Sequence, residues 1–145
     1  MKKIEYYYLK QKLNLKGEAA ARQTGIDNAS TNILITLDSD DINMPHRAGR
    51  CYELLSSKLP HLIYTRVRHF SQSCITGMAK PVFQPFNAQL LNMINYITNP
   101  GTAFNRQAYE RAGSYYDLDL KLATDYDQFL RMAHNSVNIT GIDEI

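Results

Sequence analysis

The chain has 145 residues, 44% of them hydrophobic, and carries 16 Lys and Arg against 14 Asp and Glu, for a formal charge of +2. That length and apolar content suit one folded domain able to bury roughly 70% of its unfolded surface. With 21% charged residues of mixed sign, the composition excludes a disordered tail and the dense basic face of a dedicated nucleic-acid binder.

In chain order, Ile4 to Tyr8 is β-branched and aromatic and predicts a strand, and Gly17 opens an Ala-rich stretch, Glu18 to Ala29, that predicts a helix. Ile33 to Leu37 is a near-continuous apolar run, expected as a strand buried on both faces, and it stops at Asp38-Ser39-Asp40-Asp41. After the helix-start signals Asn43 and Pro45, Ala48, Cys51, Leu55 and Leu59 recur at helical steps up to Pro60. Leu62 to Phe70 reads as another strand with Arg66 and Arg68 on one face, followed by a loop from Ser71 to Pro85. Phe86, Leu90, Ile94 and Ile97 predict a helix ended by Asn99-Pro100-Gly101, and a short helix follows over Gln107 to Ala112. Leu122 to Asn135 is the last helix and Val137 to Ile142 the closing strand. Alternation of strands and helices implies an α/β layer fold.

Two cysteines, Cys51 and Cys74, form no CxxC pair, so reduced thiols are expected rather than a disulfide framework or a zinc site. The first residues lack the apolar core and cleavage site of a secretion signal. The longest apolar run is far short of the about 20 residues that cross a bilayer. A cytoplasmic protein, the inner face of the membrane included, is therefore expected, without a transmembrane segment.

The sharpest local feature is Asp38-Ser39-Asp40-Asp41. Carboxylates this close repel one another, and a bound cation or a ring of donors relieves them. Extended backbone would put Asp38 and Asp40 on one side, and a hard cation such as Mg²⁺ takes one or two protein carboxylates and leaves its other positions to water and phosphates. The competing reading is a solvated acidic turn that caps the next helix. An EF-hand does not fit, because Asn43 and Gly49 stand where its glycine and its bidentate glutamate belong. On the last helix, Asp127 and Arg131 have the i,i+4 spacing of a structural pair, whereas Asp125 has only Lys121 as a basic residue at such a distance. Asp125 could serve chemistry or complement the helix dipole. Arg22, on the helix after Gly17, could reach a phosphate or be solvated. The four histidines show no metal-ligand spacing, and the ten tyrosines supply core bulk or sugar-stacking faces.

The order of these pieces adds to each of them. Asn14-Leu15-Lys16-Gly17, Ala20-Ala21-Arg22, Gly25-Ile26-Asp27-Asn28-Ala29, Leu37-Asp38-Ser39-Asp40-Asp41 with Pro45 and Arg47, Asn99-Pro100-Gly101-Thr102, Arg111-Ala112-Gly113 and Asp125-Tyr126-Asp127 with Arg131 resemble glycosyltransferase family 2, of the GT-A fold. Gln23 stands where the family usually has Asn, Thr124 where it often has an acid, and Ser114 where it has a second Gly. The resemblance implies a Rossmann-like α/β fold with a mostly parallel sheet flanked by helices, and a single, partial catalytic domain over residues 1–145. It implies a nucleotide-diphosphate sugar donor and a saccharide or lipid-linked acceptor. By motif, Asp40 and Asp38 match the holders of Mg²⁺ or Mn²⁺, Asp38, Arg22 and Gly17 match the donor site, and Asp125 matches the general base of an inverting transfer. The family's first strand, helix and second strand have no counterpart before Ile4. That predicts an open edge on the Ile33–Leu37 strand, a place for a complementing polypeptide or a second copy, and a need for such completion in catalysis. Two other readings stay open: a non-catalytic remnant or interaction module that keeps the fold, and an unrelated metal-dependent phosphate-handling enzyme built on the same acidic strand end.

Overall fold

The computed structural model describes residues 17–68 and 83–144. The strand expected over 4–8, most of the loop at 71–85 and Cys74 lie outside the described residues. Five helices, α1 (Glu18–Asn28), α2 (Arg47–Leu55), α3 (Ala88–Met93), α4 (Arg106–Arg111) and α5 (Thr124–His134), surround four strands, β1 (Ile33–Ile35), β2 (His61–Thr65), β3 (Thr102–Asn105) and β4 (Asn138–Ile142). The sheet order is β1-β3-β2-β4. β3 is antiparallel to both of its neighbours and β4 is parallel to β2. Three strands thus run one way and β3 alone runs back between them, so the sheet is mostly parallel by strand direction.

Period-two alternation sorts the side chains into two layers. Leu34, Leu62, Tyr64, Phe104 and Ile139 face the larger core, with Ala19 and Ile26 of α1, Ala108 and Tyr109 of α4, and Phe129 and Met132 of α5. Ile33, Ile35, Ile63, Ala103 and Ile142 face α2 through Cys51 and Leu55. The buried Cys51 is a free thiol that burial makes less acidic.

Several elements are shorter than the sequence predicts. β1 stops at Ile35 and only Leu34 is buried, while Leu37 is 54% exposed, so the strand is not buried on both faces. Its one ladder is to β3, and among the described residues no strand pairs with its other edge. α2 ends at Leu55 and leaves Leu59 exposed, β2 ends at Thr65, and α3 ends at Met93, where Ile94 is already extended. β3 was not predicted at all. No helix among the described residues is long and apolar enough to cross a membrane.

Asn105 joins the layers at the end of β3. Its side chain caps α4 by accepting from Ala108 N–H (3.0 Å) and accepts from His61 N–H (3.1 Å). Its amide donates to the carbonyls of Leu59 (2.6 Å) and Ser57 (3.3 Å). A fully buried amide with donors and acceptors all engaged fixes the start of β2 against β3.

Candidate active site

The acidic turn hangs from the end of β1. Thr36 N–H donates to Thr102 O (3.3 Å), and the Thr36 hydroxyl bonds Asn99 O (2.6 Å) and lies 2.9 Å from Thr102 Oγ1. Arg47 donates to the same Thr102 carbonyl (2.9 Å). The Asn99-Pro100-Gly101-Thr102 motif therefore holds the strand end in place. Gly101 is required there, because a Cβ would sit 2.7 Å from the Thr65 carbonyl oxygen.

Beyond Leu37 the chain turns. Asp41 N–H donates to Asp38 O (3.1 Å), closing a turn over Ser39 and Asp40. The backbone is not extended here, so the alternation expected to put Asp38 and Asp40 on one side does not apply. Asp38 faces α1, where Arg22 Nη2 lies 3.2 Å from its Oδ1. Arg22 also pairs with Glu18 and is 13% exposed. Asp40 is exposed on the turn. None of these acids caps α2, whose N-cap is His46 without a side-chain cap bond.

α5 brings in the distant carboxylates. Asp125 lies in its first turn and accepts from Tyr126 N–H through Oδ1 (2.8 Å). Asp127 pairs with Arg131 at 2.9 Å, as the spacing predicts. Arg131 also donates to the carbonyls of Ala112 and Tyr115 and lies over the Tyr115 ring, 4.3 Å from its centroid. That pair is a clamp on the segment after α4, which turns through Gly113 and Ser114, both at positive φ, and delivers Tyr116. Tyr116 N–H donates to Gln23 Oε1 (2.8 Å), which also accepts from the Tyr109 hydroxyl (2.8 Å). Burial pushes Tyr109 up to about 12. The Tyr116 hydroxyl is raised further, chiefly by burial; nearby Arg22 lowers it and Asp125 raises it. Its charge neighbourhood thus includes both α1 and the start of α5.

A groove of about 570 Å³ runs between α1 and the outer edge of β1, lined by Arg22, Ile26, Leu34, Asp38, Phe104 and Tyr116 among others. Of the residues singled out in the sequence, Arg22 and Asp38 meet directly and Asp40 follows on the exposed turn, while Asp125 stands on α5 and is not among the residues lining this groove. Gly17 lines a different cavity of about 300 Å³, with Glu18, Lys121 and Thr124. Among the described residues no three His, Cys, Asp or Glu side chains gather into a metal cage. Two carboxylates on one turn, one of them exposed, suit instead a cation that takes most of its ligands from water and phosphate oxygens. Gln23 and Tyr116 were missed as site residues. A glutamine replacing the family's asparagine was visible at 23, but nothing local distinguishes Tyr116 from nine other tyrosines.

The groove follows the open edge of β1 and reaches Asp38 and Ser39 past its carboxyl end, and in open α/β sheets ligands bind outside the carboxyl ends of the strands. The chain belongs to glycosyl transferase family 2, whose model matches residues 2–114, and this membership brings a nucleotide-sugar donor and an acceptor at the level of the family. The match takes in Arg22, Asp38 and Asp40 and ends before α5, so Asp125 lies beyond it. Comparison with curated proteins gives no match, and neither does comparison with solved structures.

Proposed function

We propose that this chain transfers a sugar from a nucleotide-diphosphate sugar to an acceptor hydroxyl, with inversion at the anomeric carbon. The observation that carries the reading is the Arg22–Asp38 pair in the groove along β1, with the buried Tyr116 lining the same groove. Arg22 offers the donor's diphosphate a fork of N–H groups. Asp38 and Asp40 hold a Mg²⁺ or Mn²⁺, which when bound supplies neutralisation of the charge that grows on the departing diphosphate. Asp125 takes the proton of the acceptor hydroxyl as its oxygen attacks the anomeric carbon. The bond from that carbon to the diphosphate breaks, and the electron pair leaves on the phosphate oxygen. Buried Tyr116 lines the same groove and stays protonated. The two carboxylate stations lie on separate elements, a strand end and a helix start.

Calorimetric titration of the chain with uridine, guanosine and thymidine diphosphate sugars, with and without Mn²⁺, tests the donor half. The reading expects Mn²⁺-dependent binding of at least one sugar nucleotide, weakened tenfold or more by Asp40→Ala, at about 1.4 kcal/mol per tenfold. Binding that ignores both the cation and Asp40 contradicts it.

A further inference from the structure

Among the described residues, the donor groove is lined by one cationic side chain, Arg22, and by two carboxylates, Glu18 and Asp38. A single nitrogen of Arg22, Nη2, pairs with both acids, with Glu18 Oε1 and, at 3.2 Å, with Asp38 Oδ1. Its other terminal nitrogen, Nη1, is buried and makes no hydrogen bond. The guanidinium therefore presents no open fork to the groove. The pair with Glu18 follows from local sequence, since an acid four residues before a base is the favourable order on a helix. The pair with Asp38 follows from the fold, which sets the turn after β1 against α1. The two acids differ in what the transfer reading asks of them: Asp38 is a station for the cation, whereas Glu18 has no part in that chemistry. The Glu18 side chain is also the more exposed, at 62% against 37%, so its pair is the easier one to exchange.

We propose that Glu18 competes with the donor's diphosphate for Arg22 and so sets donor affinity, holding the guanidinium until phosphate oxygens take its place. That the anion is a sugar nucleotide rests on the transfer reading above; the competition for Arg22 does not. Nη2 carries two protons and faces two acids, so it serves a phosphate only by giving up one of them. Carboxylate and phosphate seek the same planar fork of N–H groups. Asp38, once it turns to a cation, releases its share of Arg22. Glu18 has no such alternative and remains a competitor. Removing its charge therefore tightens donor binding, the opposite of what the loss of a merely structural contact does.

Glu18→Gln keeps the length of the side chain and removes its charge at an exposed position. Inorganic pyrophosphate in chelator, and sugar nucleotide with Mn²⁺, are titrated by calorimetry into the full chain as wild type, Glu18→Gln, Arg22→Gln and the double variant. An ion pair of this exposure is worth up to about fivefold in affinity, so Glu18→Gln is expected to bind both anions about three- to fivefold more tightly than the wild type. Arg22→Gln should bind them at least tenfold more weakly, and the gain from Glu18→Gln should vanish in the double variant, where there is no guanidinium to compete for. Asp27→Asn removes a charge from the same helix at a residue that bonds Gln23 and makes no ion pair with Arg22; it should leave both affinities at wild type and needs no change at the partly buried Arg22. Unchanged or weaker binding in Glu18→Gln overturns the proposal. So does an equal gain in Asp27→Asn or in the absence of Arg22, which would mark general charge repulsion. Pyrophosphate that binds more tightly to Glu18→Gln while no sugar nucleotide binds keeps the competition and removes the transfer reading. Mn²⁺-dependent binding of a sugar nucleotide that Glu18→Gln leaves unchanged does the reverse, and no binding of either anion overturns both.

Discussion

Gln23→Leu removes the bolt that ties α1 to the Tyr116 segment while keeping nearly the same volume. In the native chain one amide oxygen accepts two bonds of 2.8 Å, from the Tyr109 hydroxyl and from Tyr116 N–H. Tyr109 and Tyr116 are each 3% exposed, so water does not replace the lost acceptor. A buried donor left unpaired costs about 1–3 kcal/mol, and two of them, allowing the phenol to rotate toward another acceptor, come to roughly 2–4 kcal/mol. In urea, with a slope of about 1–3 kcal/mol per molar, the midpoint should fall by about 1–2 M at unchanged slope. Tyr109→Phe removes one of the two stranded donors, so Gln23→Leu with Tyr109→Phe should be less destabilised than the sum of the singles by about 1 kcal/mol or more. Sugar-nucleotide affinity should drop with the single change, because Tyr116 lines the groove. A midpoint within about 0.3 M of wild type, or strict additivity in the cycle, would refute the reasoning, since stranded buried donors cannot be free of cost.

Three further outcomes follow from the same geometry. Gly101→Ala puts a methyl 2.7 Å from the Thr65 carbonyl oxygen and should cost about 1–3 kcal/mol, with the displaced strand end also weakening sugar-nucleotide binding by calorimetry. Asn105→Ala strands His61 N–H and the Leu59 carbonyl and removes the α4 cap; about 2–4 kcal/mol of urea stability should go with it. Burial holds the His61 imidazole below its ordinary pKa of 6.5, against a backbone bond that raises it. The unfolded chain therefore binds the proton more readily, and stability should be indifferent to this group above pH 6.5 and decline as the pH falls below it. Melting curves from pH 7 to 5 should show a smaller loss for His61→Gln than for the wild type.

How far the sequence could be read depended on whether the signal was local. α2 follows from apolar spacing, and the Asp127–Arg131 pair from its i,i+4 register, because helical contacts lie within a turn. β3 escaped because four residues, Thr102-Ala103-Phe104-Asn105, form between a 3-10 turn and a helix; they are a strand by virtue of neighbours on both sides, not by any pattern of their own. The opposite error befell Ile33 to Leu37. An unbroken apolar run promised burial on both faces, yet the turn at Asp38 and the unpaired outer edge leave Leu37 in solvent. In the site, Arg22 and Asp38 were legible by motif, but their contact across sixteen residues was not. The role of Gln23 depends on tyrosines 86 and 93 positions away, and no spacing rule announces such a bond.

The central claim is that Asp125 is the base of a sugar transfer whose donor is held across the chain by Arg22, Asp38 and Asp40. The most direct measurement is the release of nucleoside diphosphate, with Mn²⁺ and a mixed saccharide and polyprenyl-lipid acceptor extract, by wild type and by Asp125→Asn, each joined to a strand-helix-strand segment that can pair with the open edge of β1. The account predicts turnover by the wild type and a fall of roughly a hundredfold or more in the variant, with sugar-nucleotide binding retained. Equal turnover by the two proteins would contradict it.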